Sequence, residues 1–236
     1  KTERLAELGY QRLLNFEVQP MSPGGFSFYG RPTPDLRLTA YALRQLTAAH
    51  NHMAVDNALI ERTTAYLLQQ QQENGSWFNE PATTATVLRA LNETEVDITK
   101  AVAYLTAQLA TPLPPYTLAL VTEALVTTKG VDPAVQSQAL DRLAALAQRD
   151  AAGFTYWPAG EGSWLGGTGR MADFNTTALS ALAFLHAGQH LDLAQAALTA
   201  LLAQRDQYGS FYTTENTALA LQAFTRAAQR YTVTGE

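Results

Sequence analysis

The stretch QQQQENGSWFNEPATTATVLRAL, residues Gln69 to Leu91, carries a glutamine-rich helix end, a glycine at Gly75, an aromatic at Trp77 and a new helix start at Pro81. The same order returns in AQRDAAGFTYW, from Ala147 to Trp157, and in AQRDQYGSFYTTENTALALQAF, from Ala203 to Phe224. An earlier copy pairs Gly25 with Phe26, and the later landmarks are Gly153 with Phe154 and Gly209 with Phe211. The spacing is about fifty residues, and the long gap between Gly75 and Gly153 leaves room for a degenerate copy at PLPPYTLALVTEAL. A period of this size signals stacked helical hairpins, none of which buries its apolar face alone. The glycine followed by an aromatic favours a closed α/α toroid over an open solenoid. Glycine permits a tight turn with positive φ, and the ring folds back to plug the junction with the next hairpin.

The helices themselves are legible from periodicity and caps. Leu36 to His50 places Leu36, Ala40, Leu43 and Leu46 on one helical face. Asp56 is an N-cap for a helix carrying Leu59, Thr63, Tyr66 and Leu67 on one side. Pro81 suits a first helical position, and Asp132 followed by Pro133 makes another start. DITKAVAYLTAQLA and YTLALVTEALVTT are separated by TPLPP, which no helix crosses. NTTALSALAFLHAG, DLAQAALTALLAQ and TENTALALQAFTRAAQR continue the series. The reading is an all-α chain of about five helical hairpins, forming a single α/α toroid domain over residues 1–236.

Composition narrows the function. The chain has 236 residues, 47% of them hydrophobic, and a formal net charge of -5. No cluster of Lys or Arg tracks a phosphate backbone, so nucleic acid is not an expected partner. There are no cysteines, which removes disulfides, zinc thiolates and cysteine nucleophiles from these residues. No run is apolar for the roughly 18 residues that span a bilayer, and no membrane contact is expected of this segment. The amphipathic, charged start at Lys1 is not a signal peptide and suggests a fragment or processed product of a larger protein.

Two kinds of resemblance follow from the motifs. The Gln and Trp element at Gln69 to Trp77 resembles that of terpene cyclases and protein prenyltransferases, both α/α toroids. The chemistry of neither is implied, because the chain has no Asp-x-Asp-Asp cluster and no cysteine for a zinc set. A closer likeness runs nearly end to end. ELGYQRLLNFEVQPMSPGGFSFYG and DLRLTAYALRQL, within Glu7 to Leu46, look like the thioester domains of alpha-2-macroglobulin and complement proteins. MAVDNALIERTTAYLLQQQQENGSW, DFNTTALSALAFL and YGSFYTTENTALALQAF are similar to the elements that follow there. This resemblance implies the thioester-type domain of a bacterial-type alpha-2-macroglobulin-like endopeptidase inhibitor, extracellular or in the cell envelope. Its partners would be the other domains of the parent polypeptide and a captured protease. Such a domain turns over nothing, so neither an enzyme nor a cofactor is expected. The reactive C-x-E-Q motif would lie upstream of Gly9, outside these residues. Complement members carry a His after the second glycine and aromatic loop; FNEPATTATVL at Phe78 to Leu88 has none, which implies reaction with amines rather than hydroxyls. A toroid enzyme acting on terpenoids or polysaccharides, and a scaffold that has lost its thioester, are the alternatives.

No catalytic, cofactor-binding or metal-binding residue is assigned. His50 and His52 flank a helix end, and the i, i+4 pair His186 and His190 is interrupted by Gly188; surface or C-cap roles are expected for all of them. Glu161 to Phe174, with Gly166, Gly167 and Gly169, lacks the context of a phosphate loop and reads as a mobile hairpin loop. It is also a place for contact with a neighbouring domain, with Trp157 and Trp164 partly exposed as anchors. Asp35, Asp173 and Glu215 stand near helix starts. A glycosidase needs such carboxylates, but helix N-terminal stabilisation, worth roughly 0.3 to 1 kcal/mol each, is the favoured reading. Lysine is scarce, with Lys1, Lys100 and Lys129 the full set, so competing amines are few.

Overall fold

A computed structural model describes residues 2–30, 32–164 and 167–234. The described residues form ten α-helices, one short 3-10 turn and one hairpin of two-residue strands, so the all-α expectation holds. They pack into two compact units, residues 1–107 and 108–236.

Unit 1 contains α1 (Thr2–Leu14), α2 (Leu36–His50), α3 (Asn57–Gln69), α4 (Pro81–Leu91) and most of α5 (Thr99–Gln108). The starts follow the sequence signals: Asp35 caps α2 by accepting from the Leu38 amide, and Asp56 caps α3 by accepting from the Ala58 amide. Pro81 opens α4, where its missing N–H costs no helical bond. Helix α2 packs on both α3 and α4, and Phe26, Ala42, Leu46, Val55 and Leu59 form a shared apolar cluster.

Unit 2 contains α6 (Pro115–Thr127), α7 (Pro133–Ala144), α8 (Arg170–Ala187), α9 (Leu191–Leu202) and α10 (Thr214–Thr234). It also holds the short antiparallel strands β1 (Gln148–Arg149) and β2 (Thr155–Tyr156). Helix α8 is its centre, touching α6, α7, α9 and α10 and buried on every side from Phe174 to Leu185. A helix apolar all round is one that neighbours enclose. It begins five residues before Asn175, where the sequence first reads as helical, because Gly169 and the preceding glycines hide the first turn. Gly188 ends it in the left-handed conformation, so His186 and His190 do not share a helix, as expected.

The repeated phrase is a structural clip. At each copy a turn closes through the amide of Gly25, Gly75, Gly153 or Gly209 onto the carbonyl three residues earlier. The aromatic that follows then gives its backbone N–H to a threonine hydroxyl in the first turns of the next helix. The donors and acceptors are Phe26 to Thr39 at 2.9 Å, Trp77 to Thr84 at 3.0 Å, Trp157 to Thr177 at 3.0 Å and Phe211 to Thr217 at 3.0 Å. Three of these hydroxyls pass their own proton to the carbonyl four residues back: Thr39 to Asp35, Thr177 to Asp173 and Thr217 to Thr213. Each loop is thereby fixed to the helix it introduces, and a buried amide that would otherwise lack a partner is satisfied.

Two landmarks shift. In the first copy the left-handed residue is Gly24, φ 84°, and not Gly25, which is pressed against Pro34 instead. In the third copy the plugging ring is Trp157 and not Phe154. Trp157 is fully buried, against the expectation of partial exposure, and its indole N–H donates to the Leu143 carbonyl at 2.7 Å. Trp77 does the same to the Leu67 carbonyl at 2.8 Å.

An ion pair secures the first loop. Arg62 on α3 grips Glu17 with two bonds, 2.6 Å from Nε and 2.9 Å from Nη2, while Glu17 also accepts from the Gly24 amide and the Gln19 side chain. The Arg62 guanidinium holds the Glu17 carboxyl below its ordinary value of about 4.5. A depressed folded pKa contributes stability that is present above the unfolded value and lost as pH falls through the folded one. Glu17→Gln is therefore expected to lower stability by about 1–3 kcal/mol near neutral pH, the gap to wild type closing below about pH 4. Urea unfolding at a series of pH values measures it; a gap independent of pH contradicts the assignment.

Candidate functional site

Two of the three carboxylates singled out in the sequence act as helix or loop anchors. Asp35 is the N-cap of α2. Asp173, in the first turn of α8, accepts from the Ala159 amide at 2.8 Å and fastens the preceding loop. Glu215 lies in the first turn of α10. His50 and His52 are exposed at the end of α2. His186 departs from the surface reading: its Nδ1 is 3.6 Å from the nearly buried Glu123 of α6. His190 precedes α9 and pairs with Asp141 at 2.8 Å. Among the described residues no group of three or more His, Cys, Asp or Glu is arranged to hold a metal, and no helix is long and apolar enough to cross a membrane.

The irregular loop before α8 is tied to its surroundings at several described residues. Thr117 donates to Glu161 at 2.5 Å, the Tyr116 amide to the Ala159 carbonyl at 3.1 Å, and the Ser163 amide to the Gly167 carbonyl at 2.9 Å. A buried amide relay continues inward: Asn175 reaches Ser163 at 3.3 Å, and Asn216 bridges Asn175 at 2.6 Å and the Met171 carbonyl at 3.0 Å. Trp164 is partly exposed, as expected, and Gly166 lies outside the described residues.

Among the described residues, two concavities bear on function. In unit 1 a largely apolar groove of about 730 Å³ runs between α1 and α2, lined by Ala6, Gly9, Leu13, Ala49 and Met53 among others. In unit 2 a cleft of about 450 Å³ opens between two of the repeated loops. It is lined by Phe154 and Tyr156 of one loop, by Gln204 and Tyr212 of the other, and by Ala200 and Ala203. Helix α8 presents Arg170, Asp173, Phe174 and Thr177 along its side, at the spacing of one helical face. Tyr212 stands edge-on to Phe174 at 5.7 Å, and its hydroxyl donates to Gln204 at 2.8 Å. Asp150 uses one carboxylate oxygen to accept the Ala152 and Phe154 amides, both at 2.9 Å. Arg170 is exposed and makes no hydrogen bond or ion pair among the described residues. Sequence reading missed this cleft because its walls are fifty residues apart in the chain; the recurring Gln and Tyr flanking each loop, Gln148 with Tyr156 and Gln204 with Tyr212, were the available signal.

In unit 1 the corresponding turn after Trp77 places Phe78 and Asn79 in left-handed conformations, φ 59° and 54°. Asn79 is tied to Asn74 at 2.7 Å and to Gln72 at 3.2 Å, while Phe78 projects outward, 62% exposed. Non-glycine residues persist there only when their surroundings over-determine them.

The A-macroglobulin TED domain family profile matches residues 1–88 and 82–226. Thioester-containing protein 1 of Anopheles gambiae is similar in two alleles, S1 and S3, each 26% identical over 254 residues. The alignments cover 98% of this chain but only 18% of the length of those relatives.

Proposed function

Since the chain belongs to the A-macroglobulin TED domain family, whose fold class is the α/α toroid, we propose that it is the thioester-type domain of an alpha-2-macroglobulin-like endopeptidase inhibitor. The observation that carries this reading is the family match over nearly the whole chain. The much greater length of the relatives supports a place as one domain, over residues 1–236, within a larger polypeptide. Its partners are then the other domains of that polypeptide and a captured protease, outside the cell or at its envelope.

These residues contain no cysteine, so any C-x-E-Q thioester would belong to another part of the parent protein. In the proposed reaction an amine of the target attacks the thioester carbonyl, the new C–N bond forms, the C–S bond breaks, and the proton lost from nitrogen restores the thiol. This is a single acyl transfer without turnover. The segment from Phe78 to Leu88 offers no imidazole to activate a hydroxyl, which supports amines as the nucleophiles. The anchored clips suit a domain whose work is to hold a reactive bond dry and still until it is released.

The test is the intact mass of the full-length parent before and after methylamine, with a thiol titration and a protease-retention assay. Addition of one methylamine with one new thiol, and covalent retention of a protease after cleavage, are expected. No mass change and no retained protease would sink the inhibitor reading and leave a non-covalent scaffold.

A further inference from the structure

The cleft of unit 2 has the chemistry of a recognition site that the acyl-transfer reading does not use. Its volume of about 450 Å³ lies within the range of small-ligand sites. Its two tyrosines are held in place: Tyr212 by the edge of Phe174 and by Gln204, Tyr156 by strand β2 and by a 3.4 Å hydrogen bond to Gln148. Rigid aromatic walls offer apolar contact at low entropic cost.

The polar groups decide the ligand class. Asp150 and Asp173 each use Oδ1 for backbone amides, and the Oδ2 of each makes no hydrogen bond among the described residues. Arg170 adds a donor fork at the rim. Two acceptors and one guanidinium make a poor site for an anion, which would face both carboxylates, and for a cation, which would face Arg170. They suit hydroxyls, which accept from the guanidinium and donate to the carboxylates. A ligand that combines hydroxyls with an apolar C–H face for the tyrosines is a sugar ring.

We propose that this cleft is a non-covalent binding site for neutral carbohydrate, taking one or two pyranose rings between Tyr156 and Tyr212 with Arg170, Asp150 and Asp173 on the hydroxyls. It would let the domain recognise a glycan without any thioester, so the methylamine result does not bear on it.

The experiment is amide NMR of the full chain titrated with cellohexaose, hexa-N-acetylchitohexaose and mannohexaose, each to about 10 mM. Saturable shifts are expected with at least one of them, confined to residues 150–156, 170–177 and 203–212. Arg170→Ala, at an exposed side chain, and Tyr212→Leu are each expected to weaken binding about tenfold or more. The Arg170 variant should keep the wild-type unfolding curve, so its effect separates binding from folding. Absence of shifts with all three sugars overturns the proposal, as do shifts elsewhere in the chain or binding that survives Arg170→Ala unchanged.

Discussion

Gly75→Ala is expected to destabilise the domain by at least about 2–3 kcal/mol, whereas Gly153→Ala, the same turn position in a later copy, should cost only about 1 kcal/mol. Both glycines have φ near +86°, so both pay the left-handed cost of a Cβ. They differ in what a Cβ would meet. At Gly75 it overlaps the backbone carbonyl of Lys100, in the first turn of α5, while at Gly153 it meets nothing within 4 Å. Backbone does not step aside as the end of a flexible side chain does, so the Gly75 loop or α5 must move. Gly24 repeats the situation against the Arg62 carbonyl and should match Gly75. Urea unfolding of the three alanine variants checks the order. Equal losses at all three would mean that φ alone makes these glycines necessary and that the close approach of loop to helix carries no energy.

What the sequence made legible was local. Asp56, Asp132, Pro81 and Pro133 mark helix starts because caps and proline act within one turn, and the structure puts α3, α7 and α4 where they point. The hairpin period was legible because each glycine turn repeats in the same order. The clip was not. Its aromatic and threonine are 13, 7, 20 and 6 residues apart in the four copies, since the loop between them varies in length while the hydrogen bond does not. That variation also put the third plug at Phe154 instead of Trp157. The polar anchors of the loop before α8 were hidden likewise: Asn175, Ser163 and Asn216 meet only after α8 and α10 pack. Asp35 and Asp173 were legible as helix-start residues, but the pairing of Asp173 with Asp150, Arg170 and two tyrosines in one cleft is a tertiary fact.

Trp77→Ala and Trp157→Ala should each cost about 3–5 kcal/mol, the largest losses expected from single side chains in their units. Each ring is fully buried and is enclosed by its own clip, so its removal leaves a void that the tethered loop cannot close. Phenylalanine at the same positions should cost only about 1–2 kcal/mol. It keeps most of the apolar volume and loses the indole N–H, but the carbonyls it served stay satisfied. Leu67 O still receives the Gln70 amide at 3.2 Å, and Leu143 O the Leu146 amide at 3.1 Å. The difference between the two substitutions thus separates filling from hydrogen bonding. Adding Thr84→Val to Trp77→Ala should cost less than the sum of the two single changes, because the clip and the ring hold the same loop. Full additivity in denaturant unfolding would mean that ring and clip act independently, and that the glycine-aromatic phrase repeats for packing volume alone.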